Sequence, residues 1–159
     1  MRSTALGIAS AVAAAAPVGA QQPGAIDART AQTIISRCAA HATAKHQSET
    51  VVVVDNGGKV IAALRGDGNG SGTFDFALAK AEAAAAWGFS TQDMADVVKR
   101  VPGFAHAPHV ETVFGGLPIW SADGKTRLGA IGVSGEKEAD DVECAEAGLK
   151  TAGLRSTHS

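Results

Sequence analysis

The sequence predicts an α+β domain, an antiparallel sheet with helices packed against it. Three observations carry this. A run of β-branched residues at 50–54 is followed at once by Asp55-Asn56-Gly57-Gly58 and a second apolar run, which is a hairpin pattern. Later apolar runs are separated by Gly115-Gly116 and Asp123-Gly124, short turns again rather than long crossovers. Segments of helical periodicity stand before, between and after these strands.

The N-terminus has a separate character. Arg2 and the amino group precede an uncharged apolar run at 5–16; Pro17 ends it, and Val18-Gly19-Ala20 supplies small residues ahead of polar Gln21-Gln22. This is the three-part layout of a cleavable signal peptide over 1–20, leaving a single domain over 21–159 and predicting a periplasmic or secreted protein. The run is well short of the ~20 residues that cross a bilayer, so no membrane span is expected. Removing 1–20 takes away Arg2 and no acid, so the formal charge of −2 becomes one unit more negative. With no basic stripe, no Tyr and few other aromatics, nucleic acid is excluded as a partner.

Within the domain, Asp27 is placed to cap a helix over 28–45, on which Ala31, Ile34, Ile35, Cys38 and Ala42 recur at helical spacing. Strands over 50–54 and 59–64 form the hairpin. The glycine-rich stretch 65–73 reads as a loop; it lacks the Gly-Lys-Ser/Thr of a phosphate loop and the strand–helix context of a dinucleotide fingerprint. An alanine-dense helix over 74–87 suggests close packing against another helix or subunit. Ser90 and Asp93 form a capping box for a short helix through Lys99. Pro102, Gly103 and Pro108 enforce a loop. Strands are then expected over 110–114, 117–120 and 128–133, and a last helix over 137–151. Cys38 and Cys144 are compatible with one disulfide in an oxidising compartment or with two buried thiols.

Five segments taken together resemble the GlcG/HbpS family of haem-binding-type domains, which includes the C-terminal part of PduO-type proteins. They are Val53 to Gly58 with its following strand, Ala77-Leu78-Ala79-Lys80-Ala81, Phe114-Gly115-Gly116-Leu117-Pro118-Ile119, Gly129 to Gly135, and Asp141 to Leu149. The resemblance spans nearly all of the domain. It implies a profilin-like fold with a five-stranded antiparallel sheet, and homo-oligomers. It also implies haem as a ligand of several members, some of them extracellular sensors or stores; others accompany glycolate or cobalamin metabolism. The chain departs from the family pattern where Glu82 precedes four alanines and Trp87, in place of a more polar, Thr-containing stretch, and in the glycine-rich insert at 66–72.

Haem needs an axial ligand, an apolar slot and cations for its propionates. With no Tyr, and only Met94 left after processing, the histidines are the candidates. His106 and His109, three apart in a Pro-bounded loop, are the candidate metal ligands. His41 and His46 at a helix C-terminus are explained by the helix dipole, and His158 lies in the tail. Phe104, Val110, Phe114, Leu117, Pro118 and Trp120 are candidates for the slot; Arg65, Lys80 and Arg100 are the cations, Lys80 foremost because it falls on a family motif. An ordinary ion pair with Asp75 or Glu82 is the other reading of Lys80. Gly115 and Gly116 are placed beside the ligand by the same motif, though turn geometry also accounts for glycine there. Ser134 lacks a nucleophile-elbow context, and the acids at 136–141 serve the dipole of the last helix.

Three functions follow from these residues. The first is an exported, non-catalytic haem- or tetrapyrrole-binding protein for storage, delivery or sensing. The second is an enzyme or accessory protein for a 2-hydroxy acid or related metabolite, using a pocket between Lys80 and 115–118. The third is a divalent-metal module built on His106 and His109.

Overall fold

The computed structural model describes residues 24–159, so the signal peptide expected over 1–20 lies outside the described residues. Helix α1 spans Ala28–Ala44. Asp27 caps it by accepting the Thr30 N–H at 2.9 Å, and the five periodic residues all face the interior. Strands β1 (Thr50–Val54) and β2 (Val60–Leu64) form the expected hairpin. Helices α2 (Ser71–Trp87) and α3 (Thr91–Arg100) follow, the latter opened by the Ser90/Asp93 capping box. A 3-10 turn at Pro102–His106 leads to β3 (Gly116–Trp120), β4 (Arg127–Ser134) and α4 (Glu138–Thr151).

The strands form one antiparallel sheet in the order β2-β1-β4-β3. Strand β1 is central and every residue in it is buried, which is why its sequence is continuously apolar after Thr50. Side chains alternate across the sheet. Val51, Val53, Ile131, Val133, Leu117 and Ile119 face a layer made by α1 and α4; Val52, Val54 and Ala130 face α2. The result is a three-layer sandwich, helices on both faces of the sheet. Among the described residues no helix is long and apolar enough to cross a membrane.

Two expectations are corrected. The sheet has four strands among the described residues, not five: residues 110–114 are irregular. Glu111 accepts the N–H groups of Thr112 and Val113 through Oε1 at 2.8 and 2.9 Å, so these donors are spent locally. His109 just before them sits at φ 56°, which turns the chain out of an extended path. The glycine-rich loop is also shorter than expected. Helix α2 begins at Ser71, because Gly70 in extended backbone acts as its N-cap and lets Ser71-Gly72-Thr73 form the first turn.

The alanine-rich helix packs on the sheet. Gly116 and Gly132 are cross-strand partners on β3 and β4. A Cβ on Gly132 would lie 2.0 Å from the Ala77 carbonyl oxygen, and one on Gly116 2.5 Å from that of Lys80. The paired glycines make a floor on which the backbone of α2 rests, and Ala77, Ala81, Ala84 and Ala85 fill the little space that remains. On the opposite face Cys38 of α1 and Cys144 of α4 form a disulfide, Cα–Cα 4.5 Å, which resolves the alternative in favour of the bridge.

Candidate functional site

Lys80 is carried by α2 directly over this glycine floor, and among the described residues it is the largest fully buried side chain. Its Nζ donates to Asp141 Oδ2 at 2.7 Å and to the Val133 carbonyl at 2.9 Å, and lies 4.8 Å from the centre of the Phe76 ring. Gly115 takes φ +117°, and a Cβ there would stand 2.5 Å from the Val133 carbonyl oxygen, the same carbonyl that accepts from Nζ, and 3.1 Å from Nζ itself. Gly116 donates its N–H to Thr91 Oγ1 at 3.1 Å. Lys80 is therefore paired with neither Asp75 nor Glu82, and it offers no charge to a propionate. Pro118 is buried in β3 and Phe114 is half-buried. A Cβ on Gly116 would stand 2.5 Å from the Lys80 carbonyl oxygen, so the closely seated helix and the ion pair occupy the place of the pocket expected between Lys80 and 115–118.

Glu49, just before β1, is buried beside the same cluster. Burial pushes its carboxyl up to about 8, reinforced by the Asp141 charge. Burial also pushes Asp141 up, but there the Lys80 ammonium opposes it. The proton of this carboxyl pair consequently resides on Glu49, and the Lys80–Asp141 pair stays charged.

Arg65 is exposed at the far side of the sheet, where its guanidinium donates to the Asn69 carbonyl at 2.8 Å and holds the loop 65–70. Met94 is fully buried in α3 and out of reach of any ligand. His41 stands 3.8 Å from Glu143, beside the Lys45 ion pairs with Asp140 and Glu143 that tie α1 to α4.

His106 and His109 are both exposed and open onto different surroundings. His106 ends the 3-10 turn that carries Phe104. The Phe104 ring meets Trp87 edge-on at 4.8 Å between centroids and stacks with Phe89 at 6.3 Å. Trp87 Nε1 donates to the Pro108 carbonyl at 3.0 Å, which pins the loop to the end of α2. Val101, 57% exposed, and Trp87, 37% exposed, leave an apolar surface beside Phe104, with exposed Arg100 at its edge. His109 instead lines a cleft against the hairpin turn. Among the described residues no group of three or more His, Cys, Asp or Glu is placed to hold a metal ion. Trp87 and Phe89 were not legible as parts of a surface, because Trp87 reads as the end of an alanine helix and Phe89 as linker.

The Lys80 ion pair is buried, whereas the exposed histidines His106 and His109 lie on the loop that follows α3. The chain belongs to the HbpS-like family: the model described as "Haem degrading protein HbpS-like" matches residues 26–150. A double mutant of Streptomyces reticuli HbpS is similar in structure, with TM-score 0.73 and 29% identity over 90% of this chain and 97% of that one. A PduOC:haem complex (TM-score 0.74, 21% identity, covering 84% and 99%) and the Klebsiella pneumoniae protein ORFY (0.72, 24%, 87% and 97%) share the fold. A comparison with curated proteins finds no match.

Proposed function

We propose that this chain is an exported haem-binding protein that acts by holding the tetrapyrrole. The observation that carries the reading is the packed ring pair of Trp87 and half-buried Phe104, with exposed Val101 and the exposed His106 imidazole on the same short turn. The ring would lie on the aromatic surface, His106 would ligate the iron, and Arg100 would meet a propionate. Bound haem supplies the redox-active iron; the chain supplies the imidazole and the apolar face. Family membership and the haem complex of a structural relative support the same ligand. The signal-peptide pattern at 1–20 and the Cys38–Cys144 bridge support a periplasmic or secreted location, since such bridges persist in oxidising compartments. Strand β2 supports a homo-oligomer: it is a sheet edge without a charged residue, and Val60 and Leu64 are 48% and 40% exposed. Helices on both faces of an antiparallel sheet support a profilin-like description of the fold.

Titration with haemin tests the reading. A Soret shift at low micromolar haemin is expected, lost in His106→Ala and retained in His109→Ala; no shift, or an unchanged shift in His106→Ala, overturns it. The family description favours a second reading, haem degradation. Incubating the haem complex with ascorbate in air separates the two, because degradation bleaches the Soret band and holding preserves it.

A further inference from the structure

His109 is one of two non-glycine residues at positive φ among the described residues, at 56°. A side-chain-bearing residue adopts that backbone only where the surroundings impose it. Here Pro108 precedes it with its carbonyl anchored by Trp87, so the loop is fixed and the imidazole is delivered to one place. That place is a cleft of about 280 Å³ whose floor is the hairpin turn 56–58 and whose walls carry Lys59, Glu82, Ala86 and His109. The floor is rigid: Asp55 Oδ1 accepts the N–H groups of Gly57 and Lys59 at 2.8 and 2.9 Å, and the Asp55 carbonyl accepts that of Gly58. Gly58 takes the left-handed backbone of the turn at φ +75° and faces Glu82, whose Cγ lies 3.5 Å from where a Cβ would stand.

Three separate segments thus bring an ammonium, an imidazole and a carboxylate to one concavity. Among the described residues none of the three side chains has an ion pair or hydrogen bond. One imidazole and one carboxylate are fewer than the three protein ligands of a typical metal centre, so the set does not describe a cation site. It describes complementary charges. The volume lies just below the ~300 Å³ at which pockets for drug-sized ligands begin, which limits the occupant to a few heavy atoms. We infer that this cleft binds a small zwitterion of amino-acid size: Lys59 and a ring N–H of His109 take its carboxylate, and Glu82 takes its ammonium. The cleft shares no residue with the surface proposed for haem, so the two readings stand or fall separately.

Amide and side-chain NMR titration of the disulfide-bonded chain with free glycine tests this, with glycolate and ethylamine as the arms that keep only one of the two charges. Glycine is expected to give saturable shifts at Gly57, Gly58, Lys59 and His109 below ~10 mM, tenfold above a millimolar Kd. It should bind about tenfold more tightly than either control, tenfold being the effect of one lost charge-assisted contact. Lys59→Ala and Glu82→Gln should each remove that advantage, while His106→Ala leaves it intact. Shifts that fail to saturate, glycolate binding as tightly as glycine, or saturation unchanged in Glu82→Gln overturn the inference.

Discussion

Lys80 of α2 and Asp141 of α4 meet at 2.7 Å with side chains 1% and 3% exposed, an ion pair spanning the three layers at the edge of the sheet. Two charges withdrawn from water stabilise a fold only while both are present. Lys80→Met leaves the buried Asp141 carboxyl without its partner, to stay charged in the interior or take up a proton, and the expected loss is about 3–5 kcal/mol of unfolding free energy. Replacing both, in Lys80→Met/Asp141→Leu, should recover more than half of it. Urea denaturation of the two variants checks this; a single-variant loss under ~1 kcal/mol, the scale of an exposed pair, would contradict the buried geometry.

The same cluster predicts a pH dependence. Glu49 has a folded value of about 8 against an ordinary 4.5, so between these values the unfolded chain releases a proton that the fold retains. Stability should therefore decline as pH rises from about 4.5 to about 8 and level off above, by up to ~1 kcal/mol per pH unit. Glu49→Gln keeps the position neutral at every pH, so its profile over this window should be flatter and its stability at pH above 8 higher than that of the parent. A parent profile that rises with pH across the window would show the proton to be elsewhere.

Much of the framework was legible because it is local. The hairpin rests on four consecutive turn residues, α1 on five apolar positions and an Asp cap, α3 on a Ser–Asp box three residues apart. Of the surface proposed for haem, His106, Phe104 and Arg100 were legible as residue types in a Pro-bounded loop and its approach, whereas the buried cluster around Lys80 was not, because its decisive relationships are long-range. Lys80 and Asp141 are 61 residues apart, and Asp141 read alone is an acid in the first turn of a helix, where the dipole already explains it. The glycines of 115–116 and 132 read as turn or strand-end residues, whereas two of them are a packing surface for α2. Residues 110–114 carry β propensity and still form no strand, since Glu111 captures the donors a ladder would need.

The Cys38–Cys144 bridge closes a loop of 106 residues between the helices of one layer. In the chain-entropy description a loop near 100 residues corresponds to about 4.7 kcal/mol, so reduction or Cys38→Ala/Cys144→Ala should lower stability by up to that amount. Thermal melts with and without reductant measure it. The parent should lose stability on reduction, and the double variant should show no response to reductant; a parent melt indifferent to reductant would mean that the bridge is not formed in solution.

Gly132→Ala tests the glycine floor, and through it the position of Lys80. The added methyl would lie 2.0 Å from the Ala77 carbonyl oxygen and 2.6 Å from the Ala81 nitrogen, both backbone atoms of α2 with no side-chain rotation to relieve the contact. The helix must lift as a unit, and overpacking of this kind costs about 3 kcal/mol or more. Gly72→Ala is the matching control: it lies in the first turn of the same helix with nothing within 4 Å of the new methyl, and it should gain ~0.5–1 kcal/mol from helix propensity. Lifting α2 also draws Lys80 away from Asp141, since Lys80 lies within a turn of Ala77 and beside Ala81. Gly132→Ala should accordingly reduce the stability lost on mutating Lys80, so the two substitutions are less than additive in a double-mutant cycle. Additive losses would show that the glycine floor and the buried ion pair are independent.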